Sequence, residues 1–125
     1  MLVALTDPIE PAGEAILRAA GHETALPRGG GGPEALRALC AAADAVIVRR
    51  KLPDDLVEAS PRLLAAVRHG VGVDLIPVER CTAAGVVVAN VPGANADAVA
   101  EFVVAQMLAA ARGVQAMHAR CSMLT

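Results

Sequence analysis

Five short runs constrain this chain more than anything else in it: Leu2–Leu5, Glu23–Leu26, Ala45–Val48, Leu63–Val67 and Val86–Ala89. Four are apolar throughout, and only Glu23–Leu26 is mixed. A strand with one wet face alternates apolar and polar residues. An unbroken apolar run of four or five residues suits a strand covered on both faces, as in a parallel sheet. The segments between the runs carry helix signals. Pro11 opens a helix through Ala20, with Ile16 and Leu17 expected on its buried face and Gly21 closing it. Pro33 opens a second, whose apolar face is Leu36, Leu39 and Cys40. Pro53-Asp54-Asp55 is read as a short helix start ending near Ala59, with acids at the positive end of its dipole. Val78–Ala84 is a further helix, closed by Gly85. A long helix is expected from about Ala96 to about His118, with Asn95 or Asp97 as its N-cap and Glu101 in or near its first turn.

Strand and helix therefore alternate five times, with no internal repeat and no linker. The expected fold is α/β: a flavodoxin-like, doubly wound, five-stranded parallel sheet in strand order 2-1-3-4-5, followed by a long C-terminal crossover helix. A length of 125 residues makes this one sheet-bearing domain with a real core.

Composition removes several function classes. Aromatic residues are 1% of the chain, the single one being Phe102, so little can stack on a flavin or on bases. The net charge is −2 and the longest basic run is Arg49-Arg50-Lys51, which argues against a nucleic-acid surface. The most apolar helix segment, Ala98–Ala111, contains Glu101 and Gln106, so a membrane span is not expected. The N-terminus lacks the basic region of a secretory signal, and the expected location is cytoplasmic. Cys40, Cys81 and Cys121 are odd in number and far apart, which suits neither a metal site nor a disulfide framework. Cys40 and Cys81 are read as small core residues in helices.

In an open α/β sheet, ligands bind beyond the carboxyl ends of the strands. Two glycine-bearing loops follow strand-like runs here: Arg68-His69-Gly70-Val71-Gly72-Val73-Asp74 and Asn90-Val91-Pro92-Gly93-Ala94-Asn95. Both can be ordinary turns. The first can also present free N–H groups to a carboxylate or phosphate. Gly70 and Gly72 are not a dinucleotide fingerprint, because Leu75 stands where the third glycine belongs. Gly29–Gly32 is not a P-loop, because no Gly-Lys-Ser/Thr follows. The strand ends lack the clustered carboxylates of a phosphoacceptor domain. Arg49, Arg50 and Lys51 after the third strand are either a solvated loop or partners for a small anion. His69, with no nucleophile in its segment, is not read as a base.

Four segments, taken together in order, are far more specific than the glycine pair. Arg68–Asp74, Ala84–Asn90, Pro92–Asn95 and Ala98–Glu101 strongly resemble the D-isomer-specific 2-hydroxyacid dehydrogenases, the family of phosphoglycerate dehydrogenase and the glyoxylate and hydroxypyruvate reductases. The specific stretch runs from about Val46 to Arg112. The resemblance implies an NAD- or NADP-dependent oxidoreductase acting on small 2-oxo and D-2-hydroxy carboxylates, homodimeric when intact. It implies that residues 1–95 are a substrate-binding domain and 96–118 an interdomain helix. The backbone of Gly70, Val71 and Gly72 then holds the substrate carboxylate, Arg49 reaches the substrate, and Asn95 and Glu101 lie at the domain interface and cleft.

Departures from the family accompany the matches. Its catalytic arginine, glutamate and histidine, and its Gly-x-Gly-x-x-Gly loop, match nothing here. This chain is therefore expected to hold no cofactor and to be inactive alone. The family's usual serine or threonine after Arg49 is Arg50, and its usual asparagine after Asp74 is Leu75. Residues 119–125 form an atypical tail that a truncated or frameshifted reading frame would explain. The alternative is a non-enzymatic binding module of the dehydrogenase-like corepressor kind.

Overall fold

The computed structural model describes the backbone of residues 1–122 and the side chains of residues 1–120. The chain divides into two units, Met1–Pro92 and Gly93–Thr125.

The first unit runs β1 (Leu2–Leu5), α1 (Pro11–Ala19), β2 (Glu23–Ala25), α2 (Pro33–Ala41), β3 (Ala45–Val48), β4 (Ala65–Arg68), α3 (Val78–Ala83) and β5 (Val87–Ala89). The five strands form one parallel sheet in the order β2-β1-β3-β4-β5, as the apolar runs implied. Val3 pairs with Ala45, Ala45 with Ala65, and Ala65 with Val87, which brings the carboxyl ends of the central strands to one rim. The core is aliphatic. Val46, Val48, Leu52, Leu56, Leu63, Ala66 and Val86 pack with Leu36 and Cys40 of α2 and Cys81 of α3. Burial pushes the Cys40 thiol up to about 11 and raises that of Cys81, so both stay protonated and inert near neutral pH.

Beyond one-residue shifts at element ends, three details of this unit differ from the sequence reading. Ile16 is 70% exposed. Gly13 and Leu17, an i,i+4 pair, form the inner line of α1, and Ile16 falls off it. Residues 54–59 form successive turns rather than a helix, tied by Leu56 N–H to Pro53 carbonyl (3.1 Å) and Ser60 N–H to Val57 carbonyl (3.1 Å). Pro53 and Pro61 bracket a stretch too short to repay helix nucleation, and burial of Leu56 and Val57 fixes its path instead. β4 begins two residues later than expected, at Ala65.

The second unit contains α4 (Ala96–Ala111) and α5 (Val114–Ser122). The single helix expected through His118 is thus broken. Gly113 takes φ of 63°, a left-handed conformation that ends α4, and Met117 N–H bonds Gly113 carbonyl at 3.0 Å to begin the next turn. Asn95 is the N-cap residue, without a side-chain capping bond, and Asp97, not Glu101, is the acid of the first turn. Among the described residues no helix is long and apolar enough to cross a membrane.

Candidate functional site

β4 delivers the chain to Arg68, and the next five residues turn back across the rim. The hydrogen bonds of this loop are one-sided. The His69 carbonyl accepts from Arg68 Nη1 (3.1 Å), and the Gly70 carbonyl accepts from Val91 N–H (3.0 Å). The Val71 carbonyl accepts from Asn90 Nδ2 (2.7 Å), and the Gly72 carbonyl accepts from Arg68 Nε (3.0 Å). In a trans peptide the N–H of the following residue points away from the carbonyl. Four consecutive peptides therefore have their oxygens occupied. Their N–H groups, on Gly70, Val71, Gly72 and Val73, donate to nothing among the described residues. Gly70 has φ of 150°, which only glycine adopts readily, and Val71 and Gly72 are exposed. Unpartnered amide donors in a row favour an anion.

Arg68 is the residue that sequence reading missed. Its guanidinium also donates to the Val48 carbonyl (2.8 Å), so one side chain ties the ends of β3 and β4 to the glycine loop.

β3 ends beside this loop, with His69 N–H bonding the Val48 carbonyl at 2.9 Å. The buried hydroxyl of Thr6, at the end of β1, accepts from the N–H groups of Arg49 (2.9 Å) and Arg50 (3.4 Å). The two arginines then diverge. Arg49 is exposed, and Nη1 donates to the Pro8 carbonyl. Arg50 is half-buried and grips both carboxylate oxygens of Asp7 through Nε (3.0 and 2.9 Å), with Nη2 on Oδ1 and Nη1 on the Gly31 carbonyl (3.0 Å). The Arg50 hydrogen bond, helped by that from Thr6, holds the Asp7 carboxyl below its ordinary value against the opposing effect of burial. Asp7 is therefore an anion at neutral pH. Asp7, Pro8, Arg49 and Arg50 line one concavity of about 500 Å³ at the rim.

The structure thus brings Arg49 and the Gly70–Gly72 loop to the same edge of the sheet, joined through Val48 and Thr6. Asn95 and Glu101 belong to the second unit, where both are exposed. His69 is exposed beside the loop. Among the described residues no group of His, Cys, Asp and Glu could hold a metal ion. Nor do these residues fit a dinucleotide. A pyrophosphate cradle needs its glycine loop to run directly into a helix N-terminus, whereas Val73–Pro77 separates this loop from α3.

Comparison with known proteins identifies the family and the fold. Residues 3–123 match the family described as D-isomer specific 2-hydroxyacid dehydrogenase, catalytic domain. The D-3-phosphoglycerate dehydrogenase of Methanocaldococcus jannaschii is 43% identical over 74 residues, covering 58% of this chain and 14% of that protein. The hydroxypyruvate reductase of Thermotoga maritima is 40% identical over 73 residues, covering 57% of this chain and 24% of that protein. The crystal structure of NAD+-bound 3-phosphoglycerate dehydrogenase of Entamoeba histolytica superposes with a TM-score of 0.76 at 30% identity, over 87% of this chain and 38% of that one. The chain spans less than half the length of each of these relatives. With the parallel sheet, its strand order and the match over residues 3–123 in hand, the chain belongs to the D-isomer-specific 2-hydroxyacid dehydrogenases, in the part that family calls its catalytic domain.

Proposed function

We propose that this chain forms the substrate side of an NAD- or NADP-dependent D-2-hydroxyacid dehydrogenase, which interconverts small 2-oxo and D-2-hydroxy acids by hydride transfer. The observation that carries the proposal is the run of four unpartnered N–H groups from Gly70 to Val73, opposite four occupied carbonyls. A carboxylate accepts two or three such donors readily. Gly70, Val71 and Gly72 bind the substrate carboxylate, and Arg49 supplies a cation from the neighbouring strand end. Asn95 and Glu101 are assigned to the domain interface and cleft, residues 1–95 to the substrate-binding domain, and 96–118 to the connection with a cofactor domain. The intact enzyme is taken to be a cytoplasmic homodimer, the assembly being open to light scattering. What these residues do is hold and orient the acid. Nicotinamide chemistry is left to residues other than those described.

Two measurements test this. Titration of the 15N-labelled chain with glyoxylate, hydroxypyruvate and pyruvate is expected to shift the amide signals of Gly70, Val71 and Gly72 first. A uniform absence of shifts there would remove the site. Assays with NADH or NADPH are expected to give turnover when the chain is joined to a cofactor domain of its family and none from the 125-residue chain alone. Carboxylate binding with no turnover in any longer product would favour the binding module instead.

A further inference from the structure

We propose that Asp7 determines substrate specificity by withholding Arg50 from the ligand, so that the concavity beside Arg49 selects an acid with one anionic group over an acid carrying a second, distal anion such as a phosphate. The inference rests on the carboxylate-binding role given above and names the substrate class of that same site.

Three charged side chains line the concavity: Asp7, Arg49 and Arg50. Judged by residue type, the two arginines would make it a strong dianion site. The geometry says otherwise. The Nε and Nη2 edge of Arg50, the fork that would meet a phosphate, is spent on both oxygens of Asp7. Its remaining Nη1 is turned to the carbonyls of Gly31 (3.0 Å) and Gly30 (3.4 Å). A Cβ on Gly31 would run into Nη1, so the bare backbone there is part of the grip. Asp7 is held in turn by the Thr6 hydroxyl, which donates to Oδ2 at 3.0 Å. Lys51, the next cation along, lines a different concavity with Leu36, Arg37 and Asp55. Of the two arginines lining the concavity, Arg49 is the one whose guanidinium makes no hydrogen bond to Asp7 among the described residues; it donates to the Pro8 carbonyl. A single anionic group entering the concavity is matched by Arg49. A second anion would find the other arginine occupied and the Asp7 carboxylate beside it, a like charge that disfavours it. The names of the relatives above cover an acid with a distal phosphate and one without, so the choice is a real one for this family.

The test is Asp7→Asn, which keeps the shape and removes the anion. With the 125-residue chain and inorganic phosphate as probe, followed by NMR at the amides of Thr6, Gly31 and Arg50, phosphate affinity is expected to rise about tenfold. In the intact enzyme, the ratio of kcat/KM for a phosphorylated over an unphosphorylated 2-oxo acid is expected to rise by a similar factor of about ten. Adding Arg50→Ser to Asp7→Asn should abolish both gains. Arg50→Ser alone bares Asp7 and should weaken phosphate further; this variant carries the test if Asp7→Asn does not fold. Unchanged phosphate affinity in a folded Asp7→Asn chain, stronger phosphate binding in Arg50→Ser, or a native enzyme that prefers the phosphorylated acid would each overturn the proposal. An intact enzyme that turns over no 2-oxo acid sinks the dehydrogenase reading, and the substrate class with it. The phosphate titration does not depend on turnover, so the two failures are separable.

Discussion

The unit Met1–Pro92 and the unit beginning at Gly93 use apolar residues in opposite ways. In the first, α2 is one-sided: Leu36 and Cys40 are buried in the core while Glu34 and Ala38 stay in water. In the second, α4 has apolar residues around its whole circumference. Val99, Phe102, Val103, Val104, Met107 and Leu108 are 48% to 66% exposed, and no residue of α4 is buried. An amphipathic helix specifies one neighbour. A helix apolar on all sides is built to be surrounded. The helix α2 satisfies its own pattern, and the pattern of α4 calls for contacts beyond those described.

That contrast predicts different failures. The largest effect is expected from Leu56→Ala, a fully buried side chain among fixed neighbours, which should destabilise the chain by about 2–5 kcal/mol in denaturant titration. A cost below about 1 kcal/mol would mean that the first unit is less tightly packed than its burial indicates. Gly31→Ala should follow, at about 1–3 kcal/mol, since φ there is 74° and the new methyl meets the Arg50 guanidinium. Gly72→Val acts on the site: its Cβ would stand 2.7 Å from Asp74 Oδ1 and its bulk over the loop amides. Carboxylate affinity should fall about tenfold or more, with little change in melting temperature. Equal affinity in this variant would move the anion elsewhere.

A smaller, pH-dependent effect comes from Asp7, Asp44 and Asp55. The acid pKa of Asp7 is lowered chiefly by its hydrogen bond from Arg50, that of Asp44 by the Leu2 N–H, and that of Asp55 by Arg37. Groups depressed on folding stabilise the native state above the ordinary value of 3.8, and that contribution is lost as pH falls below it. Melting temperature should hold from pH 7 to about 5 and then decline, more shallowly in Asp7→Asn. The smallest effect on stability is expected from Phe102→Ala, within about 0.5 kcal/mol, together with weaker self-association in light scattering. A destabilisation matching that of Leu56→Ala would break the comparison, because it would make α4 part of a closed core.

The sheet was legible because its central strands β1, β3 and β4 carry the buried residues and read as nearly unbroken apolar runs, while the edge strands β2, which is mixed, and β5, which is largely exposed, were placed by their position in the strand–helix alternation. Ile16 was misplaced because α1 buries so little that Leu17 and Ile16 look alike in sequence. The break at Gly113 was obscured by apolar residues continuing on both sides of it. The candidate site was legible where backbone makes its loop, since Gly70 and Gly72 announce a loop without side chains. It was not legible where side chains act at long range. Arg49 and Arg50 are neighbours of the same type, and only the fold, by placing Asp7 beside one of them, separates their tasks. Arg68 holds carbonyls from three residues, a role that no local spacing encodes.

The proposed recognition surface, made of peptide N–H groups, has an uncommon relation to heredity. Every residue except proline carries the same donor, so Val71 can change to any other side chain without changing what the loop offers a carboxylate. What mutation can reach is the orientation of those donors, and that is held from behind by Arg68 and Asn90, neither of which need touch the ligand. Variation in affinity among natural versions of this loop is therefore expected to map to the residues that pull on its oxygens and hardly at all to the residue at its tip.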